Sequence, residues 1–475
     1  MLDDIIIIIL NNMIPYQSNS LICFLSEQSG VPKDQIYSIF CVLSSIPLSL
    51  FMYLISNPTL RLYYSLICGV FLQFLVYEVN IIHLFIATLF TYTFVKFFGR
   101  KHSAFFVLGF TMIYLASMHL YRMITSYEVW DIRDPTGIYM LSMCKFSFFA
   151  FSYEDGEKDD KDIYNAHHRR NKIVTLPSFT EFFAYIYFFP TATYGPSIEY
   201  VDFIDFIYLN KHYKKMNKTK NIKLGILRVI IAFIIIGLYG AFNSKFATEF
   251  IGTKEFGASP FIYKFMYVNL SSWFTKAKYY GGWTLTYGIL MILGVSYTED
   301  EKGNSSYDIG YIGSIVTVET SSNPKNIIIQ WNHPCHLWLK YSLFLRLINV
   351  KKFGLNKNIH LCSLITFVTS AIWHGFYPCY YFFFISFYFI QQASETLNKI
   401  GFYNWLSQQN VLVRGFACVV IQYMINGIAI IFFAMKWSVI KGYLINMMGL
   451  PLIMVMTLYV ISIIAMKSMK STKKE

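Results

Sequence analysis

Long apolar windows recur along the chain from about residue 36 to residue 466, and short polar stretches separate them. A helix needs roughly 20 apolar residues to cross the hydrocarbon core of a bilayer. We therefore predict an all-α integral membrane protein with about eleven crossings. The predicted spans lie near residues 36–56, 61–78, 80–98, 103–124, 224–243, 259–275, 281–296, 359–376, 379–392, 411–435 and 449–466.

Three other apolar segments are interrupted by proline, glycine or charge, namely residues 138–152, 176–200 and 331–349. Segments of this kind tend to re-enter the membrane or to lie at its surface. Irregular backbone at membrane depth persists only where protein or a water-filled cavity covers it. We therefore expect re-entrant or interfacial helices around a polar cavity, in addition to the spans.

Composition supports one polytopic domain over residues 1–475, because 55% of the residues are hydrophobic and 14% are charged. We expect residues 1–35 to form a surface-lying N-terminal lead-in and residues 401–475 to form C-terminal spans and a basic tail. The net charge of +13 could suggest nucleic acid. However, the lysines cluster in short loops beside apolar segments, which is typical of cytoplasmic flanks. We expect a lipid bilayer as partner and no nucleic acid.

Candidate metal ligands are sparse. The eight cysteines are scattered without CxxC spacing, so no disulfide framework or metal knuckle is implied. His333, Cys335 and His336 resemble half of a zinc site, but no second cluster has ligand spacing. The adjacent His167 and His168 also have no acidic or thiol partner at ligand spacing. We therefore expect no metal.

The feature that calls most for an explanation is His374, which stands in the run TSAIWHGFYPCYYFFF between two long apolar stretches. An ionisable side chain at such a depth is costly, so it is by default a candidate functional group. Gly375 and Pro378 follow it, and they predict that the helix ends just past the histidine. Two interpretations remain open. His374 is either a structural group bonded to Ser370 or to a carbonyl, or a group that takes part in chemistry.

A second polar segment, WNHPCHLWLKYSLFLRL, begins at Trp331. The amide of Asn332 can both donate and accept hydrogen bonds. Lys340 and Arg346 lie in an otherwise apolar stretch. One interpretation is an interfacial amphipathic helix with Trp331 and Trp338 at headgroup level. The other is that this segment enters the same cavity as His374.

Two further segments, residues 118–156 and 176–203, hold more polar or helix-breaking residues than their hydropathy suggests. The first contains His119, Arg122 and Lys145 among aromatic residues. The second is broken by Pro190, Gly195 and Pro196, and Glu181 and Glu199 lie towards its two ends. Either segment could be a re-entrant loop that serves structure alone. Together they favour a polar cavity within the membrane.

Taken together, the four segments resemble the membrane-bound O-acyltransferase family, and specifically its lysophospholipid acyltransferase branch. The resemblance covers residues 100–400, the motif-bearing catalytic core. The branch's SAxWHGxxPxYY pattern is matched by Ser370, Ala371, Trp373, His374, Gly375, Pro378, Tyr380 and Tyr381. Its WNxxxxxWLK pattern is matched by Trp331, Asn332, Trp338, Leu339 and Lys340. Residues 177–202, residues 119–156 and the segment KYYGGWTLTYG from Lys278 are similar to three further branch segments.

Two departures from the branch are visible: Cys379 stands where glycine is usual, and the first hundred residues carry no family motif. The sterol and diacylglycerol acyltransferases of the family carry an FYxDWWN pattern before the asparagine. This chain has NIIIQWNHP instead. The difference argues against a neutral-lipid product.

The resemblance implies transfer of a fatty acyl group from acyl-CoA to the free hydroxyl of a lysophospholipid, at the endoplasmic reticulum, through a tunnel within the membrane domain. It implies His374 as general base, with Asn332 either stabilising the oxyanion or orienting the acyl donor. No cofactor is implied, because acyl-CoA is a co-substrate. Lys340 and Arg346 either contact CoA phosphates or anchor the segment at the membrane surface. The expected substrate-binding residues are His119, Trp331, Trp338, Lys340, Arg346, Trp373 and Tyr381.

Two alternative functions stay open. The same fold could serve a sterol, diacylglycerol or protein hydroxyl as acceptor. A multi-span transporter would also hold an intramembrane histidine and broken helices. Against a transporter, the sequence has no internal repeat, and the predicted spans carry no acidic side chain away from their ends to couple an ion.

Overall fold

A computed structural model of the chain describes residues 20–472 except 30–32, 102, 126–133, 164, 192–193, 301 and 351. These residues are almost entirely helical, which confirms the predicted all-α class. The exception is a short antiparallel hairpin, β1 (Tyr297–Glu299) and β2 (Ser305–Tyr307), in a polar insert. Residues 1–19 of the predicted lead-in and residues 473–475 of the basic tail lie outside the described residues.

The α-helices are, in chain order, α1 Ser20–Ser29, α2 Lys33–Met52, α3 Pro58–Tyr77, α4 Ile81–Phe98, α5 Ser103–Thr125, α6 Thr136–Asp155, α7 Ala166–Asn171, α8 Phe179–Ile186, α9 Tyr200–Ile207, α10 Lys218–Phe242, α11 Lys254–Ala258, α12 Phe261–Leu293, α13 Ile315–Thr320, α14 Pro324–Gln330, α15 His333–Trp338, α16 Leu345–Leu347, α17 Ile359–His374, α18 Pro378–Lys399, α19 Phe402–Ser407, α20 Val411–Ala434, α21 Trp437–Asn446 and α22 Leu450–Thr472. A π-helical segment, Leu339–Phe344, joins α15 to α16. Short 3₁₀ helices cover Glu78–Asn80, Asp160–Asp162, Phe189–Thr191, Lys211–Lys215, Asn243–Phe246, Thr248–Gly252 and Lys352–Lys357.

Among the described residues, five helical segments are long and apolar enough to cross a membrane: Pro58–Phe98, Ser103–Thr125, Lys218–Gly252, Val411–Ala434 and Leu450–Met469. Large apolar side chains on these segments face outward. Ile124 and Leu412, for example, are each 79% exposed. Such exposed apolar surface suits contact with lipid. The predicted class of integral membrane protein is therefore supported by the fold.

One boundary between two predicted spans is wrong. Residues 259–275 and 281–296 were expected as separate crossings, whereas Phe261–Leu293 is one continuous helix of 33 residues. The sequence suggested a break because Gly281 and Gly282 follow two lysines. An interior glycine costs about 1 kcal/mol relative to alanine, which packing can offset. The Lys276 charge is moreover paired inside the protein, so it does not end the helix.

The chain divides into two compact units. The first comprises residues up to Ile234 together with Gly281–Tyr311. At its centre lies α6, expected as an interrupted segment, which is an unbroken helix buried on nearly all sides. The Lys145 ammonium on α6 donates to the carbonyls of Tyr185 and Ile186 at 3.2 and 3.0 Å and to the Thr191 hydroxyl at 2.8 Å. This buried cation satisfies backbone groups where α8 ends.

The segment from residue 176 to 207 is broken, as predicted, into short helices. Ser178 begins α8 with a capping box, in which its hydroxyl accepts from the Glu181 N–H and the Glu181 carboxylate accepts from the Ser178 N–H. At the other end of the segment, Arg61 donates to the carbonyls of Ile207 and Phe206 at 3.0 and 3.3 Å. The two cations, Arg61 and Lys145, thus serve as structural caps in the first unit.

The second unit comprises Ile235–Tyr280 and Ile312–Glu475. Its framework is the helix pair α17 and α18, which pack against each other, and α18 also packs on α20 and α22. The π-helical segment packs on α17. Short π-helical segments are rare and are frequently found at functional sites, so this stretch is a candidate part of a site.

Candidate active site

His374 is the last residue of α17, as the sequence predicted. Asn358 begins the helix, because its side-chain oxygen accepts from the Leu361 N–H at 3.0 Å. Gly375 ends it with φ +121°, a backbone conformation that glycine adopts without strain. Pro378 then begins α18. The imidazole therefore lies at the corner between two helices of the second unit.

In the part of the chain that the structure describes, four aromatic rings pack around the His374 imidazole. The centroids of Phe384 and Phe432 lie 5.2 and 5.1 Å from that of His374. The centroids of Tyr380 and Trp373 lie 5.5 and 4.8 Å away. These rings come from α17, α18 and α20, and the histidine itself is half-buried. Packing on several sides restricts the imidazole to few orientations, which suits a group that must meet a substrate at a defined angle.

Asn332 lies at a turn in a left-handed conformation, with φ 46° and ψ 58°. Asparagine is among the few residues that adopt this region readily. On its C-terminal side the Asn332 carbonyl accepts from the His336 N–H at 3.1 Å, which begins α15. The His333 N–H donates to the Ile312 carbonyl at 3.3 Å. The turn is thus tied both to α15 and to the chain entering α13.

The helices that carry Asn332 and His374 are joined by two buried tryptophans. Trp338 ends α15, and its ring centroid lies 5.3 Å from that of Trp373, the residue before His374. Trp338 is 1% exposed and Trp373 is 4% exposed. Trp338 was one of two tryptophans that an interfacial interpretation placed at headgroup level. Its burial shows that it belongs to the core of the second unit.

The other predicted substrate-binding residues are distributed more widely. Lys340 is exposed on the π-helical segment, with its ammonium 5.0 Å from the centroid of the Tyr341 ring. Arg346 donates from Nε to the Tyr341 carbonyl at 3.3 Å. Tyr380, rather than its neighbour Tyr381, is the tyrosine whose ring contacts His374 among the described residues. Tyr381 is half-buried on α18.

His119 is placed in the first unit, where it is buried in α5 at 5% exposure. One turn along the same helix, Arg122 pairs with Asp134 and donates to the Thr136 hydroxyl at 3.2 Å. Arg122 therefore joins α5 to the start of α6. Residues 126–133 of the same segment lie outside the described residues.

Sequence reasoning missed a buried polar cluster in the second unit. The Lys276 ammonium lies 2.7 Å from the Glu319 carboxylate, and their side chains are 5% and 16% exposed. The Tyr280 hydroxyl donates to the same carboxylate at 2.6 Å. Lys276 also donates to the Asn426 amide oxygen at 2.9 Å. Glu319 lies on the short helix α13, outside the apolar windows, so the search for acidic residues in spans overlooked it.

This cluster reaches Trp331, the residue before Asn332. The Trp331 ring packs edge-to-face on Tyr280, with centroids 5.4 Å apart, and on Tyr279, with centroids 6.2 Å apart. The signal in the sequence was the spacing of Lys276 and Tyr280, four residues apart and hence on one face of α12.

The fold and the site define a polytopic helical membrane protein with a half-buried histidine and an asparagine on helices joined by packed tryptophans. The chain belongs to the membrane-bound O-acyltransferase family, whose sequence model matches residues 60–435. This confirms the resemblance drawn from the motifs. The matched region contains both Asn332 and His374.

Individual relatives have low sequence identity to this chain. The chain is 28% identical to the lysophospholipid acyltransferase of Saccharomyces cerevisiae over 381 residues, which cover 74% of this chain and 60% of that protein. It is 27% identical to the lysophospholipid acyltransferase of Schizosaccharomyces pombe, over 79% of this chain and 74% of the relative. A human relative, membrane-bound glycerophospholipid O-acyltransferase 1, is 23% identical over 79% of this chain and 78% of its own length.

Proposed function

We propose that this chain transfers a fatty acyl group from acyl-CoA to the free hydroxyl of a lysophospholipid, forming a diacyl phospholipid and CoA. Family membership and the names of the relatives support the reaction class. The single structural observation that carries the assignment is the contact between Trp338 and Trp373, which joins the helices of Asn332 and His374. The chain spans 60% of the Saccharomyces cerevisiae relative, so the activity is proposed for the matched region.

In the proposed reaction, His374 takes the proton from the acceptor hydroxyl while that oxygen attacks the thioester carbonyl. A hydroxyl is a poor nucleophile at neutral pH, and histidine is the side chain most often used to remove its proton. The carbonyl oxygen becomes negatively charged as the new C–O bond forms. When the C–S bond breaks, the imidazolium returns the proton to the departing CoA sulfur. Atoms and charge then balance without a further reactant.

Asn332 is proposed to donate its amide hydrogens to the developing oxyanion or to orient the acyl donor. An oxyanion donor is commonly worth about 3 kcal/mol in transition-state stabilisation. The left-handed backbone at Asn332 holds this residue in a defined place. A backbone conformation of this kind is often retained at functional sites.

The arrangement of substrates is also a proposal. CoA is polar and the lysophospholipid is amphipathic, so we propose an internal tunnel that CoA enters from the cytosol and the lipid enters from the bilayer. Lys340 and Arg346 are proposed contacts for CoA phosphates. Trp331, Trp373 and Tyr381, which all belong to the second unit, are the proposed lining of the tunnel. About ten crossings within a single domain, one fewer than the sequence predicts because Phe261–Leu293 is one helix, and residence in the endoplasmic reticulum complete the proposal, with no cofactor beyond the acyl donor.

An acceptor panel tests the proposed function directly. Purified protein in lipid nanodiscs is incubated with labelled acyl-CoA and, separately, with lysophospholipids of different headgroups, a sterol, diacylglycerol and a peptide. We expect label in the diacyl product of at least one lysophospholipid, together with release of free CoA. Label in the sterol, diacylglycerol or peptide, but in no lysophospholipid, would replace the proposed acceptor. No label in any acceptor would reject the acyltransferase assignment for this chain.

A further inference from the structure

Trp331 connects the proposed catalytic residue Asn332 to the polar cluster of the second unit. The side chain of Trp331 rests on Tyr280 at an interplanar angle of 71°. Its backbone N–H donates to the Ile327 carbonyl at 2.9 Å, which ends α14. Asn332 follows directly in a left-handed conformation, so the Trp331 ring packs beside the turn that carries the Asn332 side chain.

The orientation of Tyr280 is in turn fixed by a chain of polar contacts. The Glu319 carboxylate accepts from the Tyr280 hydroxyl at 2.6 Å and from the Lys276 ammonium at 2.8 Å. The Asn426 amide oxygen accepts from Lys276, and the Asn426 amide nitrogen donates to Asn269 at 2.8 Å. Helices α12, α13 and α20 each supply part of this chain.

Stability alone is a weak reason to keep such a cluster. Removing two charges from water is costly, and a well-packed apolar replacement is often as stable as a buried ion pair. A buried pair does fix geometry, because its partners must meet at defined distances and angles. Ionisable residues within membrane domains are functional candidates for the same reason.

We propose that Tyr280, held by Glu319 and Lys276, is a positioning residue for the turn at Trp331 and Asn332. It does not touch the reacting atoms. It acts by holding the Trp331 ring, and through it the amide of Asn332. This inference rests on the proposed acyl transfer and adds residues on α12 and α13 to the machinery of that reaction.

The variant Tyr280→Phe tests the proposal with little disturbance. It removes the hydroxyl that Glu319 accepts from, keeps an aromatic ring beside Trp331, and leaves the ion pair between Lys276 and Glu319 in place. We expect kcat/KM to fall about tenfold, which matches the loss of one hydrogen bond to a charged group. The parameter that changes, kcat or KM, should be the same one that Asn332→Ala changes.

A matched control lies on the same helix. The Tyr267 hydroxyl donates to the Ala247 and Lys245 carbonyls at 3.2 and 3.4 Å, and no contact joins this residue to Trp331 among the described residues. Tyr267→Phe makes the same chemical change, and we expect it to keep the wild-type kcat and KM.

A double-mutant cycle separates positioning from a merely structural role. If Tyr280 acts through Asn332, then Tyr280→Phe in the Asn332→Ala background should reduce the residual rate by less than about twofold. A further tenfold loss in that background would show that the two residues act independently and would overturn the proposal. So would an unchanged kcat/KM for Tyr280→Phe alone. If the proposed acyl transfer itself were wrong, the wild-type protein would acylate no lysophospholipid. That result is distinct from a failure of Tyr280 to act through Asn332.

Discussion

Trp338 and Trp373 pack with ring centroids 5.3 Å apart at an interplanar angle of 42°, in the interior of the second unit. The first belongs to the helix that Asn332 begins, and the second precedes His374. Asn332 and His374 are 42 positions apart in the sequence, yet the helices that carry them share this contact. The contact therefore links the two residues that are proposed to carry the reaction.

Truncating Trp338 should cost both stability and activity. Removal of a buried tryptophan side chain typically costs about 3–5 kcal/mol, because the space it leaves is not refilled. We expect Trp338→Ala to lower the midpoint of thermal unfolding, measured by size-exclusion chromatography after heating, and to reduce turnover of the remaining folded protein. Trp405 is 52% exposed and serves as a control. If Trp405→Ala lowers the midpoint as much as Trp338→Ala, the buried contact is not what stabilises this region.

Removing Lys276 alone should be worse than removing both members of its ion pair. Lys276→Met leaves the Glu319 carboxylate buried without its cation, which typically costs about 3–5 kcal/mol. The double variant Lys276→Met with Glu319→Gln removes both charges and should recover most of that loss. The measurement is again the unfolding midpoint. A double variant that is no more stable than Lys276→Met would show that the charge of Glu319 is not the cause.

The pair of Lys325 and Glu395 provides the control for this cycle. Their charged atoms are 3.9 Å apart, and their side chains are 41% and 31% exposed. Because surface pairs contribute about 0–1 kcal/mol, Lys325→Met should change the midpoint little.

Gly313 should not tolerate a side chain. A Cβ at this position would lie 1.9 Å from the Gln330 carbonyl oxygen, and the backbone has φ +99°. Gly313→Ala therefore forces the segment before α13 away from the end of α14, and we expect loss of activity in protein of reduced stability. Gly354→Ala is the control, because Gly354 has φ +66° and open space around it. Its loss of stability isolates the cost of a positive φ for alanine, which is about 1–2 kcal/mol. Equal losses in the two alanine variants would refute a role for the close approach.

Asn332→Ala should distinguish the two roles proposed for this amide. If the amide stabilises the oxyanion, kcat should fall about 10²–10³-fold while KM for acyl-CoA stays near the wild-type value. If the amide orients the donor, KM for acyl-CoA should rise at nearly constant kcat. Steady-state kinetics at saturating lysophospholipid measures both parameters. An Asn332→Ala variant with wild-type kcat and KM would remove Asn332 from the site.

Much of the fold could be predicted from hydropathy, because a lipid-facing helix must be apolar over its whole length. The end of α17 followed from local chemistry as well, since Gly375 and Pro378 predict that the helix stops just past His374. The helix Phe261–Leu293 shows the limit of this approach. The glycines and lysines in its middle suggest that the helix is broken there. The partner that neutralises Lys276 is Glu319, which is 43 residues away in the sequence.

Part of the site could also be predicted from the local sequence. His374 could be identified from one sequence, because a histidine in a lipid-like run needs an explanation. The left-handed backbone of Asn332 and the edge-to-face packing of Trp331 on Tyr280 depend on tertiary contacts that no local pattern encodes. Glu319 was overlooked because its short helix has neither the length nor the hydropathy of a span.

The central claim is that His374 acts as general base in acyl transfer to a lysophospholipid. Initial rates with labelled acyl-CoA and lysophospholipid, measured on purified His374→Ala, test it most directly. His360 lies on the same helix, where its Nδ1 is 2.6 Å from the Gln392 side-chain oxygen, and His360→Ala is the matched control. General-base catalysis typically contributes about 10²–10⁴-fold, so we expect His374→Ala to fall by at least that lower factor while His360→Ala keeps wild-type rates. Folded His374→Ala protein with more than about a tenth of the wild-type rate would contradict the claim.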